Sequence, residues 1–333
     1  MEMDQSRVWI VGLGPMGIAY AKALRALGHD VLGVGRGAQG VAAFREATGF
    51  EAVAGGLEAA LAAHAPPARA IVATPIMVLA SSALTLISAG TRDLLVEKPA
   101  GVDLEDFRRL ARGAEESGAR VWLAYNRRFL PSVQEARRMI AEDGGAVAFS
   151  FEFSDPGDRI AASAHPPEVK RNWLYANGTH VIDLAFHLGG EPELLSAYVE
   201  GSLDWHPAAA SFSGAGRSFG GALFSYQANY EAPGRWGVVV DTRQRRLSLR
   251  PLEELHVQKR GSFALEKADL AIPPEEADLK PGLPGQLRAF LQGEGREHLL
   301  DAAAHLERAE QVYARILAGS AGHGSRNDVE KQS

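Results

Sequence analysis

Short runs of consecutive apolar residues alternate with longer stretches of helical period through the first 124 residues. The runs at 8–11, 30–34, 70–73, 93–96 and 120–124 read as buried strands. Between them, 18–27, 41–48, 57–64, 78–88 and 104–117 read as helices. The first helix stops at Gly28, and the last opens after Asp103, a residue type that caps helix starts. Strands that are apolar throughout must be covered on both faces. The order therefore predicts a parallel sheet between two helical layers, a doubly wound α/β domain.

After Tyr125 the pattern changes. The segment 130–142 reads as a helix, and 146–153, 197–200, 222–230, 237–241, 246–249 and 256–259 read as strands in glycine-punctuated sequence. Their alternating polarity predicts an antiparallel sheet with one face on the core and one exposed. The stretch 299–317 reads as one long amphipathic helix. The expected division is a dinucleotide-binding domain at 1–124, an α+β domain at 125–318 with a large, mostly antiparallel open sheet, and a polar, disordered tail at 319–333.

A chain of 333 residues fits about two domains, at roughly 150 residues each. It contains no cysteine, which excludes disulfides, iron–sulfur and zinc–thiolate sites and cysteine nucleophiles, and fits a reducing, cytoplasmic setting. A net charge of −6 argues against a nucleic-acid binder. No charge falls between Arg69 and Arg92, but Pro75, three threonines and three serines interrupt that stretch, so no membrane span is expected. Gly12 and Gly14 break the N-terminal apolar run too early for a signal-peptide core.

The candidate chemistry begins at Gly12-Leu13-Gly14-Pro15-Met16-Gly17, which follows a strand and opens a helix. Gly12 permits the tight turn, Gly14 lets a pyrophosphate approach the backbone, and Gly17 allows close helix–strand packing. A dinucleotide site usually carries Asp or Glu at the end of the second strand when NAD is preferred. Here the chain reads Val34-Gly35-Arg36, so a guanidinium stands ready for a 2′-phosphate. NADP(H) is the preferred cofactor on this reading, with NAD(H) as the alternative. Glu97-Lys98-Pro99 ends one strand and Thr74-Pro75 the preceding one, and ligands bind beyond the carboxyl ends of such strands. Arg127, Arg128 and Trp173 are further candidates at the junction of the domains, and the loop 280–286 precedes a short helix. His180, Asp183 and His187 have helical spacing, yet three convergent ligands are not evident, and no metal site is assigned.

Together these residues resemble the glucose–fructose oxidoreductase/inositol dehydrogenase (Gfo/Idh/MocA) family. The resemblance rests on Gly12–Gly17, Ala73-Thr74-Pro75, Glu97-Lys98-Pro99, Tyr125-Asn126-Arg127-Arg128-Phe129 and Asn177-Gly178-Thr179-His180-Val181-Ile182-Asp183, in family order. It implies a Rossmann domain followed by a sheet domain, and hydride transfer between a nicotinamide and a hydroxyl-bearing carbon of a sugar, inositol or nucleotide sugar. By resemblance Lys98 contacts the reacting oxygen and His180 is the general acid/base. Tyr125, Asn126, Arg127, Arg128, Trp173, Asn177, Thr179 and Asp183 are the expected substrate contacts. A homodimer or homotetramer is implied as well.

One position departs from the pattern. Many dehydrogenases of the family carry Asp four residues before the histidine, where this chain has Ala176. Three readings stand open: a different substrate, a dyad of Lys98 and His180 alone, or loss of catalytic activity; the competing class is a nucleotide-binding regulatory protein on the same scaffold. Transfer or hydrolysis with a retained cofactor is a further class. The Asn-Gly-Thr-His form points, within the family, toward surface-polysaccharide or unusual-sugar biosynthesis.

Overall fold

The computed structural model describes residues 4–319, so most of the expected tail, 320–333, lies outside the described residues. The alternating half folds as β1 (Asp4–Val11), α1 (Pro15–Ala26), β2 (Val31–Val34), α2 (Ala38–Thr48), β3 (Glu51–Val53), α3 (Gly56–Ala63), β4 (Pro67–Val72), α4 (Leu79–Ala89), β5 (Asp93–Glu97), α5 (Leu104–Ser117) and β6 (Arg120–Ala124). The six strands are parallel, in the order β3-β2-β1-β4-β5-β6. β3 was not foreseen, because three residues are too few to show a period. Along β1 the side chains alternate between two cores. Trp9 and Val11 pack with Ala83, Leu86, Phe107 and Leu110, and Val8 and Ile10 pack with Tyr20 and Leu24. Each large apolar side chain buried this way stabilises the domain by about 2 kcal/mol.

The second half contains α6 (Pro131–Glu142), β7 (Ala148–Glu152), α7 (Gly157–Ala162), α8 (Pro167–Arg171), α9 (Thr179–Gly189), β8 (Pro192–Glu200), β9 (Ser211–Ser218), β10 (Leu223–Asn229), β11 (Gly237–Asp241), β12 (Arg245–Leu249), β13 (His256–Lys259), β14 (Leu265–Lys267), α10 (Leu283–Leu291), β15 (Leu300–Asp301), α11 (Ala302–Arg308) and α12 (Ala314–Ala318). Eight strands form one sheet, in the order β14-β13-β12-β11-β7-β10-β9-β8. Only β7 and β10 pair in parallel; the other pairs are antiparallel. α9 is buried on nearly every side and crosses the inner face against β7 and β11.

Two expectations are corrected. The helix expected at 299–317 differs at its start: Leu300–Asp301 pairs antiparallel with β6, Asp301 caps the helix through the Ala304 N–H, and the helical backbone then runs from Ala302 to Ala318, with a π-helical stretch, Ala309–Tyr313, joining α11 to α12. A single cut at 124 also fails to part the two sheets. α10 packs on α1, and Leu283, Leu287 and Phe290 share a core with Tyr20 and Leu24. The chain thus leaves the first domain, builds the second, and returns.

Candidate active site

β1 ends at Val11, and Gly12 turns the chain with φ of +104°. A Cβ there would lie 2.4 Å from the Ala73 carbonyl oxygen, and one on Gly17 would lie 2.0 Å from the Gly12 carbonyl oxygen. Neither position admits a side chain. Gly14 differs, since a Cβ would meet nothing within 4 Å. α1 begins at Pro15 with no side-chain cap, leaving the N–H groups of its first turn free for an anion. Pro15 is exposed and Met16 half-buried at this edge.

Arg36 lies exposed just beyond β2, its carbonyl accepting from Gly55 N at 3.1 Å and its Cγ 3.6 Å from where a Gly56 Cβ would stand. The Thr74 hydroxyl, next to Ala73, is buried without a protein partner, and Pro75 beside it is exposed. An open Gly14, an uncapped helix start and an orphaned hydroxyl on one crevice fit a dinucleotide: α1 would hold the pyrophosphate and Arg36 the adenosine end.

Glu97 and Lys98 follow at the end of β5. The Tyr20 hydroxyl donates to Glu97 Oε1 at 2.7 Å. Burial pushes the Glu97 carboxyl up, against the pull of Tyr20, Lys98 and Lys280. Lys98 Nζ donates to the Ala176 carbonyl at 2.8 Å. That carbonyl belongs to a π-helical turn, Leu174–Gly178, leading into α9, and such turns leave backbone groups available at functional sites. Burial brings Lys98 down to about 8, with Glu97 opposing and Arg127 and Lys280 assisting.

His180 stands in the first turn of α9 with only 7% of its surface exposed, and its Nδ1 is buried without a protein partner. Burial, then the cations Lys98, Arg127 and Lys280, hold it well below the usual histidine value. The imidazole is therefore neutral at pH 7 and able to take a proton. Its ring lies 5.7 Å from the Trp236 ring and 6.2 Å from the Tyr125 ring. Arg127 lies over the same Trp236, 4.8 Å from its centroid, and its buried Nε has no partner.

The remaining expected contacts divide. Asn177 and Trp173 reach the crevice, both donating to Asp155 Oδ2 at 2.8 Å. Asn126 is buried and donates to the Pro281 carbonyl at 3.0 Å, which brings the 280–282 loop and Lys280 to the site. Tyr125 is buried against His180 and His305. Three of the expected residues are engaged within the fold. Arg128 donates through two nitrogens to Asp183, at 2.8 and 2.7 Å, and Asp183 also accepts from Arg308, so Arg128 and Asp183 neutralise each other inside the fold. Burial alone would raise the Asp183 carboxyl, but Arg128 and Arg308 hold it below the usual range. Thr179 is fully buried and its hydroxyl donates to the Tyr175 carbonyl at 2.8 Å.

Asp155 and Trp236 were not singled out from the sequence. Antiparallel pairing of Gly237 with Glu152 sets the start of β11 beside the end of β7, and these two residues lie just outside that pair. The rule that ligands sit beyond strand carboxyl ends holds for parallel sheets and gives no location here. The one local signal is Ser154-Asp155-Pro156, a turn sequence directly after a strand.

Residues 6–125 match an oxidoreductase family described as having an NAD-binding Rossmann fold. Over 139 residues the chain is 27% identical to scyllo-inositol 2-dehydrogenase (NADP(+)) IolW of Bacillus subtilis (strain 168), a match covering 39% of this chain and 37% of that relative's length. The solved structure of UDP-N-acetylglucosamine 3-dehydrogenase GnnA from Acidithiobacillus ferrooxidans superposes with a TM-score of 0.70 at 20% identity, covering 95% of this chain and 99% of the other. The WlbA dehydrogenase from Bordetella pertussis, in complex with NADH and UDP-GlcNAcA, gives a TM-score of 0.71 at 16% identity, with 96% of each chain covered. At such identities the structural likeness establishes the fold.

Proposed function

We propose, from the match of residues 6–125 to the Gfo/Idh/MocA oxidoreductase family model, an NAD(P)-dependent oxidoreductase acting on a CH–OH group of a sugar or nucleotide sugar. The observation that carries this reading is the meeting of Lys98 with the turn that presents His180: the lysine donates to the Ala176 carbonyl, four residues before the histidine. A bound nicotinamide would accept or return the hydride. In oxidation, neutral His180 takes the hydroxyl proton while the Lys98 ammonium stabilises the developing alkoxide; in reduction, the protonated imidazole returns the proton to the carbonyl oxygen. The relatives support this class, being named for an inositol and for UDP-N-acetylglucosamine. Surface-polysaccharide or unusual-sugar synthesis is the finer context this reading favours.

The cofactor is NADP(H) on the strength of Arg36 and the missing acid at the end of β2. The protein works in the cytoplasm as a homodimer or homotetramer that covers the outer face of the eight-stranded sheet, where Leu194, Tyr198 and Leu223 are exposed. Among the described residues no helix is long and apolar enough to cross a membrane.

The test is stereospecific reduction of ketosugars and keto-nucleotide sugars with NADPH. Lys98→Ala and His180→Ala are each expected to lower kcat by about 10²–10⁴-fold. Arg36→Ala is expected to lower kcat/KM for NADPH about 10-fold or more, the loss of one charged hydrogen bond, and to leave NADH little changed. Full activity in both catalytic variants overturns the assigned roles. Tight cofactor binding without turnover across the panel favours a regulatory scaffold instead.

A further inference from the structure

The acid found in many family members four residues before the histidine is absent here, because position 176 is alanine. The fold brings a carboxylate from elsewhere to the same turn. Asp155 follows β7, and its Oδ2 accepts from Trp173 Nε1 and from Asn177 Nδ2, each at 2.8 Å. Trp173 stands just before the π-helical turn and Asn177 within it, and between them the Ala176 carbonyl accepts Lys98 Nζ. The turn is thus gripped twice, by a carboxylate from the second sheet and by an ammonium from the first.

The charge balance gives that carboxylate a second task. Lys98 is faced by Glu97 from its own strand, Arg127 from the turn after β6, Lys280 from the loop before α10, His180 from α9 and Asp155 from the end of β7. Three cations meet two carboxylates, and Glu97 is bonded to Tyr20. Resting on the oxidoreductase reading, we propose that Asp155 is the positioning carboxylate of this crevice: it anchors the 173–177 turn that holds Lys98 and offsets the excess of positive charge around it. Asp155 acts through Lys98 and the turn. It exchanges no proton with substrate.

The experiment compares Asp155→Asn and Asp155→Glu with the wild type in the full-length protein. Loss of the carboxylate lets Lys98 deprotonate more easily. In Asp155→Asn the alkaline limb of kcat/KM is therefore expected to move to lower pH by a fraction of a unit, burial and Glu97 setting the larger part of the Lys98 titration. Asp155→Glu, which keeps the charge, is expected to leave the limb in place. The same titration is read without turnover by NMR of 13C-lysine-labelled protein with cofactor bound, the Lys98 signal being identified by its loss in Lys98→Arg. A Lys98 titration unmoved in folded Asp155→Asn, with only thermal stability reduced, overturns the proposal and leaves Asp155 a structural anchor. A wild type that turns over no carbohydrate overturns the functional reading, and the NMR arm still decides the role of Asp155.

Discussion

Lys98 and His180 are both pushed toward their neutral forms by burial and by neighbouring cations, but they start from different values. Near pH 7 the lysine remains mostly charged while the histidine is already neutral, the pair of states that alcohol oxidation needs. The sign follows directly. Raising the pH through about 8 removes the Lys98 proton, so oxidation should fall on the alkaline side, while on the acid side it should hold to well below pH 6.5. A pH profile of kcat/KM checks this, and Lys98→Arg, always charged, should remove the alkaline limb. A limb unchanged in Lys98→Arg would assign it to another group. Lys98, His180 and the glycines were legible because each sits in a contiguous motif whose local geometry is set by its own neighbours. Asp155 and Trp236 were not, since only the pairing of β7 with β11 brings them there. The engagement of Asp183 was not legible either, because a carboxylate on the histidine helix looks free until Arg128 and Arg308, from two other elements, are seen to hold it.

At the scale of the element, the turn from β1 into α1 separates two meanings of glycine. A methyl on Gly17 would overlap the Gly12 carbonyl, so Gly17→Ala should disrupt the turn itself and lower the melting temperature. A methyl on Gly14 meets no protein atom, and its φ of −74° suits alanine. Gly14→Ala should therefore keep the wild-type melting temperature while the KM for cofactor rises, because the methyl occupies the approach of a pyrophosphate. Thermal denaturation and cofactor titration of the two variants separate the effects, and equal stability loss in both would refute the distinction. β9 shows why some elements escaped the pattern. Its sequence, Ser-Phe-Ser-Gly-Ala-Gly-Arg-Ser, carries no apolar alternation, yet a Cβ on Gly214 would come within 2.4 Å of the Tyr226 ring and one on Gly216 within 2.4 Å of the Phe224 ring. The glycines seat aromatic rings of the neighbouring strand, a cross-strand arrangement that polarity cannot reveal.

For the whole molecule, the outer face of the eight-stranded sheet is left open by the described residues, with Leu194, Tyr198 and Leu223 exposed on it. Leu194, Arg217 and Leu223 form one row across three strands, and Tyr198, Ser213 and Gln227 another. If this face joins two copies, burying about 1,600 Å² in all as stable interfaces do, Tyr198→Glu with Leu223→Arg should yield a monomer by analytical ultracentrifugation. An unchanged sedimentation coefficient would place the contact elsewhere. The two-sheet architecture was legible from period alone, but the path between the sheets was not, because two residues, Leu300 and Asp301, carry the return to β6 and show no period. That return bears on how the protein is made. On the ribosome the nucleotide-binding half is translated first, yet its α1 face stays bare and β6 stays an open edge until α10 and Leu300–Asp301 have emerged. Its completion must wait until Asp301 has emerged, so a chain truncated before Leu300 would be injured in the half translated earlier.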